Sequence, residues 1–184
     1  MFALCALVLA AGCSRRQPPA PAPASATTAS PTNDRTVRDS IARAAAMRDS
    51  AERAARDRAA RAAARAKLEA PVYYDFDRSE IVSPSRISLD GKLDVLSAYP
   101  SVRLRISGHA DERGSDEYNL ALGQRRAAAA KRYLVQRGIA ESRLEIVSFG
   151  EERPVCTASD ESCWMRNRRA EFEIVSGADA LAVR

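Results

Sequence analysis

The chain has 184 residues, and 29 Lys and Arg against 24 Asp and Glu leave it a net charge of +5. The charge is unevenly shared: Pro71 to Arg184 holds 17 basic and 18 acidic residues, and Met1 to Ala70 holds 12 and 6. The excess of base therefore lies in the N-terminal third, between Arg15 and Lys67, a stretch without a single aromatic residue, which argues against nucleic acid as the partner.

Met1 to Gly12 is an apolar run that ends at Cys13. It is shorter than the roughly 20 residues a membrane-crossing helix needs, so residues 1–12 read as a signal-peptide core. Ala10, Ala11 and Gly12 directly before Cys13 resemble a bacterial lipobox, which implies cleavage there and lipid on Cys13. The run departs from the usual pattern in having no Lys or Arg ahead of it. Ser14 follows, and in lipoprotein families a residue other than Asp at that position goes with sorting to the outer membrane. Residues 13–33 are rich in Pro and Ala and read as a solvated linker. Residues 34–70 are crowded with Ala and Arg and lack Gly and Pro, which predicts a helical or fluctuating spacer. Asp49 with Arg53, and Asp57 with Arg61, stand four apart in the order that favours a helix. Linker and spacer could each reach about 50 Å.

Pro71 opens a domain of ordinary size, residues 71–184. Val72 to Phe76, aromatic and β-branched, reads as a strand. Ser83 is the expected N-cap of a helix with Pro84 in its first turn, Leu89, Leu93 and Leu96 on its buried face and Tyr99-Pro100 at its end. Val102, Leu104 and Ile106 alternate with polar residues in a second strand. A long helix follows from about Asp116 to Gln136, with Gly138 as its stop. Leu144 to Phe149 and Ala170 to Val175 are the third and fourth strands. The order β-α-β-α-β-β predicts an α/β (α+β) two-layer sandwich, with a mixed sheet and helices on one face.

Between the second strand and the long helix lies a polar turn carrying Asp111, and the helix then presents Asn119 and Arg126. A carboxylate and a guanidinium on rigid elements can grip a zwitterion, the acid taking an ammonium and the base a carboxylate. The chemistry calls for a receptor. Neither an activated Ser or Cys nucleophile nor a metal-ligand cluster is evident, and no cofactor is implied. Cys156 and Cys163 flank a polar stretch between the last two strands and read as a disulfide in an exported chain. Two thiols and the single, distant His109 are too few for zinc. His109 itself reads as a packed, hydrogen-bonded residue.

From Val72 to Val175 the chain resembles the OmpA-like peptidoglycan-binding family, and within it the lipid-anchored, peptidoglycan-associated branch. The resemblance is carried by Tyr73-Tyr-Asp-Phe-Asp-Arg-Ser-Glu-Ile81, Gly108-His-Ala-Asp-Glu-Arg-Gly114, Tyr118-Asn-Leu-Ala-Leu-Gly-Gln-Arg-Arg-Ala127, Val147-Ser-Phe-Gly-Glu151 and Asn167-Arg-Arg-Ala-Glu-Phe172. It implies non-covalent binding, without cleavage, of the diaminopimelate residue of peptidoglycan stem peptides. Asp111 would then meet the ligand ammonium and Arg126 its carboxylate. Asn119 would line the site, Phe76 and Asp77 would form one wall, and Asn167 and Arg168 would sit near the rim. The resemblance further implies an outer-membrane lipoprotein with its domain in the periplasm, and docking of partners such as TolB of the Tol system. Each assignment has a plainer alternative: Asp111 as a turn or helix cap, Arg126 in a surface ion pair, Asn119 as a loop tie, Asp77 as strand-end charge.

Overall fold

The computed structural model describes residues 31–181. The signal run, Cys13 and most of the linker lie outside the described residues. The chain divides into two compact units, Met1–Ala45 and Ala46–Arg184. The boundary falls inside the first helix, α1 (Pro31–Glu69), which begins slightly ahead of the expected spacer start. Pro31 is tolerated there because the first turn has no use for its missing N–H. In the first unit Arg38 pairs with Asp34 at 2.9 Å. In the second, Arg56 pairs with Glu52 at 3.2 Å and Arg65 with Glu69 at 2.8 Å. The expected pairs Asp49–Arg53 and Asp57–Arg61 are not among these; exposed pairs of this kind are worth only about 0.3–0.5 kcal/mol, too little to choose between neighbouring partners.

The core reaches back past Pro71. Leu68, in the last turn of α1, is fully buried and Ala64 packs against the same cluster. Lys92 holds that turn in place: its Nζ donates to the carbonyls of Lys67, Leu68 and Ala70 at 2.9, 3.0 and 2.5 Å, and lies 4.3 Å from the centre of the Phe172 ring. The orphan carbonyls of the helix end are thus satisfied by the Lys92 amino group.

The rest of the second unit comprises β1 (Val72–Tyr73), α2 (Ser83–Ala98), β2 (Arg103–His109), α3 (Asp116–Val135), β3 (Leu144–Gly150), α4 (Glu161–Asn167) and β4 (Arg169–Ser176). The sheet order is β1-β4-β2-β3, with β2 parallel to β3 and β4 antiparallel to both β1 and β2. This is the expected α+β fold with a mixed sheet. Leu104, Ile106 and Gly108 stand opposite Ile174, Phe172 and Ala170 on one side and Leu144, Ile146 and Ser148 on the other. That row forms the core face, where Leu89 and Leu96 of α2 and Ala127, Ala130 and Leu134 of α3 complete the cluster. On the alternate row Arg105 reaches Glu145 at 3.6 Å and Glu173 at 3.2 Å.

Three local departures from the sequence reading have clear causes. First, β1 is two residues long, because the chain turns away at Phe76-Asp77 and Asp77 adopts a left-handed φ of 54°. Second, Val82 takes the N-cap position of α2 without a side-chain bond, and Ser83 is already helical. Third, the Cys loop contains a helix, α4, started by Asp160, whose carboxylate accepts from Cys163 N at 2.9 Å. The Cys156–Cys163 disulfide is formed.

One close contact sets the position of α3. A Cβ on Gly108 of β2 would collide with the Gly123 carbonyl, and one on Gly123 would strike Ser148 Oγ and the Gly108 backbone. The missing side chains let helix and sheet backbones touch. This fixes the depth at which α3 presents Asn119 and Arg126.

Candidate ligand-binding site

At the end of β2, Ala110 N donates to Gly150 O at 2.8 Å, which holds the following turn over the end of β3. Gly114 adopts a φ of 118°, and Ser115 caps α3 by accepting from Tyr118 N. The Phe76-Asp77 turn approaches from the other side, where Tyr118 Oη donates to Asp77. Between these elements lies a cleft of about 250 Å³, lined by Phe76, Asp77, Asp111, Arg113, Gly114, Tyr118, Asn119, Leu122 and Arg126. Five of the predicted site residues therefore meet in one place.

Asp111 is the electrostatic centre of the cleft. It is 4% exposed, and its carboxylate accepts from Arg113 N, Nε and Nη2 at 3.2, 3.1 and 2.7 Å and from Arg168 Nη1 at 3.2 Å. Burial by itself would raise its pKa, but the hydrogen bonds from Arg113 and Arg168 outweigh that and hold it below the usual carboxylate range. Arg113 is stacked between two rings, its guanidinium carbon 3.9 Å from the centre of Phe76 and 4.1 Å from that of Trp164. Trp164 Nε1 in turn donates to Glu112 at 3.1 Å.

Arg126 is the other pole, and the structure gives it a role the sequence does not disclose. It is completely buried, and donates to Arg78 O, His109 O and Asp75 O at 2.9, 2.8 and 3.1 Å. Burial lowers its pKa to about 10, so it remains a cation at neutral pH. Three of its five N–H donors are committed to the main chain, and the other two lie buried beneath the cleft lining. Tyr74 Oη donates to Arg126 O at 2.8 Å, fixing the helix backbone as well.

The remaining assignments divide. Asn119 is buried and donates to Arg113 O at 3.2 Å and to Glu151, so it ties loops together while lining the cleft. Phe76 stays half exposed against Arg113. Arg168 reaches Asp111 from behind and bonds Glu161 at 2.6 Å and Tyr74 O at 3.2 Å. Asn167 lies away from the cleft lining, pinning the Cys loop through Val155 N, Cys156 N and Cys156 O at 3.0, 3.1 and 2.7 Å. His109 differs from its expectation: it is buried and stacked on Phe149 at 5.6 Å, but neither ring nitrogen has a hydrogen bond among the described residues. Burial, then the charge of Arg169, pulls its pKa well below the usual value, so it is a neutral packing residue at pH 7. The sequence reading missed Arg113, Tyr118 and Trp164. Arg113 was legible in principle as a base two residues from Asp111; Trp164, more than fifty residues away, was not. Among the described residues no group of His, Cys, Asp and Glu is placed to hold a metal ion.

Residues 73–168 match the model of the OmpA family. The chain belongs to the OmpA family. It is 48% identical over 107 residues to the peptidoglycan-associated lipoprotein of Rhizobium meliloti, a match covering 58% of this chain and 60% of that protein. It is 46% identical over 100 residues to the peptidoglycan-associated lipoprotein of Pseudomonas putida, covering 54% and 60%. The chain thus spans about three-fifths of the length of these relatives. Among solved structures, the peptidoglycan-associated lipoprotein from Burkholderia pseudomallei superimposes with a TM-score of 0.54 at 41% identity, over 55% of this chain and 86% of that one. The C-terminal domain of Helicobacter pylori MotB shares the fold, with a TM-score of 0.56 at 19% identity over 61% of this chain and 88% of that one. OmpA-family proteins of this kind are non-enzymatic binding proteins. Among the described residues no helix is long and apolar enough to cross a membrane.

Proposed function

We propose that this OmpA-family chain is a lipoprotein of the outer membrane that anchors the envelope to the cell wall, through non-covalent binding of the diaminopimelate residue of peptidoglycan stem peptides. The observation that carries this reading is the cleft itself, in which Asp77 and Asp111 face Arg113 and Arg126 within a space suited to one amino-acid head group. The free end of diaminopimelate is a zwitterion. Its ammonium fits the carboxylates, and its carboxylate fits the guanidinium of Arg126. The aliphatic stem would run past Leu122 and Phe76.

Lipid on Cys13 would hold the chain to the outer membrane, residues 1–12 being removed as signal, 13–33 serving as linker and 34–70 as spacer. Residues 71–184 would then bind the wall from the periplasm. A second role, docking of a Tol-system partner such as TolB, is favoured by a mainly apolar groove of about 390 Å³ beside the cleft, where Tyr73 and Met165 are about half exposed.

Calorimetric titration of the purified protein with a diaminopimelate-containing muropeptide, against the same peptide carrying lysine, tests the main reading. Binding of the first alone supports it. Equal binding of both, or of neither, refutes it.

A further inference from the structure

Asp111 cannot receive a ligand ammonium in the arrangement just described. A carboxylate offers about four acceptor positions, two on each oxygen. On Asp111, Oδ1 accepts from Arg113 N and Nε, and Oδ2 from Arg113 Nη2 and Arg168 Nη1. Every position is filled. The backbone N–H of Arg113 is fixed by the turn, and Arg168 is buried and held by Glu161 and Tyr74 O. Only the Arg113 side chain is free to go. It is about one-third exposed and lies at the cleft, and it supplies two of the four bonds.

A destination for it is already in place. Arg113 Nη1 lies 3.8 Å from Glu161 Oε2, while Arg168 bonds the other oxygen of that carboxylate. A side-chain rotation that keeps contact with the Trp164 ring would carry the guanidinium from Asp111 to Glu161. Glu161 and Trp164 both sit on α4, whose start is capped by Asp160 and whose Cys163 is bonded to Cys156, so this acceptor is firmly held.

We propose that Arg113 is an internal competitor for the ligand ammonium, a guanidinium latch that occupies Asp111 until the ligand displaces it toward Glu161. This rests on the diaminopimelate reading and adds a regulatory element to it. Two consequences follow. Apparent affinity is reduced by the fraction of chains whose latch is closed. Selectivity is sharpened, because a ligand with only one charged group cannot both displace Arg113 and satisfy Arg126.

The test titrates the diaminopimelate muropeptide into wild type, Arg113→Gln, Trp164→Leu and Asp111→Asn, following heat and the emission of Trp164, the single tryptophan of the chain. With roughly one chain in ten unlatched, Arg113→Gln should bind about tenfold more tightly than wild type. Trp164→Leu, which keeps the charge but removes one face of the stack, should fall between them. Emission of Trp164 should change on saturation in wild type and stay constant in Arg113→Gln. Wild-type binding with Arg113→Gln equal or weaker would overturn the latch and leave the diaminopimelate reading standing. Tightening by Arg113→Gln alone, with no effect of Trp164→Leu and no change in wild-type emission, would also overturn it, by reducing the effect to the lost charge. Full binding by Asp111→Asn, or absence of binding by all four proteins, would refute the diaminopimelate reading and the latch together.

Discussion

Replacing Asp111 by Asn keeps the shape and removes the charge, and the structure lets the cost be worked out. Arg168 is 5% exposed on its side chain, so its ion pair with Asp111 at 3.2 Å is a buried one. Removing one partner of a buried pair can cost about 3–5 kcal/mol. Here the loss is smaller, because Arg168 keeps Glu161 and Tyr74 O and the asparagine retains one acceptor oxygen; about 2 kcal/mol is the reasonable figure. The Arg113 pair is about one-third exposed, so its contribution is discounted to under about 1 kcal/mol. The sum is about 2–3 kcal/mol, or a fall in Tm of about 5–10 °C for a unit of this size. The pH dependence supplies a check. The folded pKa of Asp111 is depressed, so its stabilisation is fully present above the unfolded value of about 3.9 and is lost as pH falls through the folded one. Urea unfolding of both proteins, followed by circular dichroism, should give a difference that is constant from about pH 5 to 8 and shrinks below about pH 4. A difference under about 0.5 kcal/mol at pH 7 would refute the view of Asp111 as the centre of a buried network.

Gly123→Ala would press a Cβ onto Ser148 Oγ and the Gly108 backbone; a loss of about 3 kcal/mol or more in urea unfolding is expected, and a change under about 1 kcal/mol would contradict the close helix–sheet contact. Burial lowers the pKa of Lys92 to about 7, so between that value and the unfolded value of about 10.4 the unfolded chain holds a proton the folded one has lost, and stability should rise with pH. Lys92→Met should abolish that rise between about pH 7.5 and 9.5, below the range where tyrosines ionise; identical slopes in the two proteins would dispose of the assignment. Tyr118→Phe removes only the hydroxyl that donates to Asp77. It should leave Tm within about 2 °C of wild type, and muropeptide titration should show weaker binding if the turn carrying Asp77 is a wall of the site.

Where the fold could be read in advance, periodicity was the reason. Leu104 and Ile106, or Leu89 and Leu96, repeat at the spacing that buries one face, and the structure buries them. Asp111, Asn119 and Arg126 converge because a strand end, a turn and the first turns of one helix are neighbours in sequence as well as in space. What stayed hidden depended on distant partners. The seven residues of α4 are too few to display a period, and the helix stands on its Asp160 cap and the disulfide. The aromatic run after Pro71 looks like a full strand, but Asp75 O is taken by Arg126 and the chain turns. Asn167 follows from the family motif as a rim residue, yet its amide is spent on the Cys loop, a bond that pairs residues eleven and twelve apart.

The same physical device recurs at three points of the second unit, and it bears on how site variants should be read. Lys92 gathers three carbonyls at the end of α1, Arg143 gathers those of Val102, Leu96 and Tyr99 at 2.9, 3.0 and 2.9 Å, and Arg126 gathers those of Arg78, His109 and Asp75. In each case a long basic side chain does for irregular backbone what a ladder does for a strand, supplying donors to main-chain acceptors, of which Asp75 O and Tyr99 O also accept from a turn N–H, that of Arg78 and of Val102. Arg126 does so for both walls of the cleft at once, so the cleft is shaped before any ligand arrives and less order must be imposed on binding. It follows that Arg126→Ala removes the frame together with the ligand contact: the carbonyls of Arg78 and His109 lose this donor, while Asp75 O keeps Arg78 N, at about 1–3 kcal/mol for a buried acceptor left unpaired. A loss of binding in that variant says nothing about which carboxylate Arg126 reads. The ligand's demands are isolated only at residues whose removal spares the frame, and in this cleft those are Tyr118, Phe76 and Arg113.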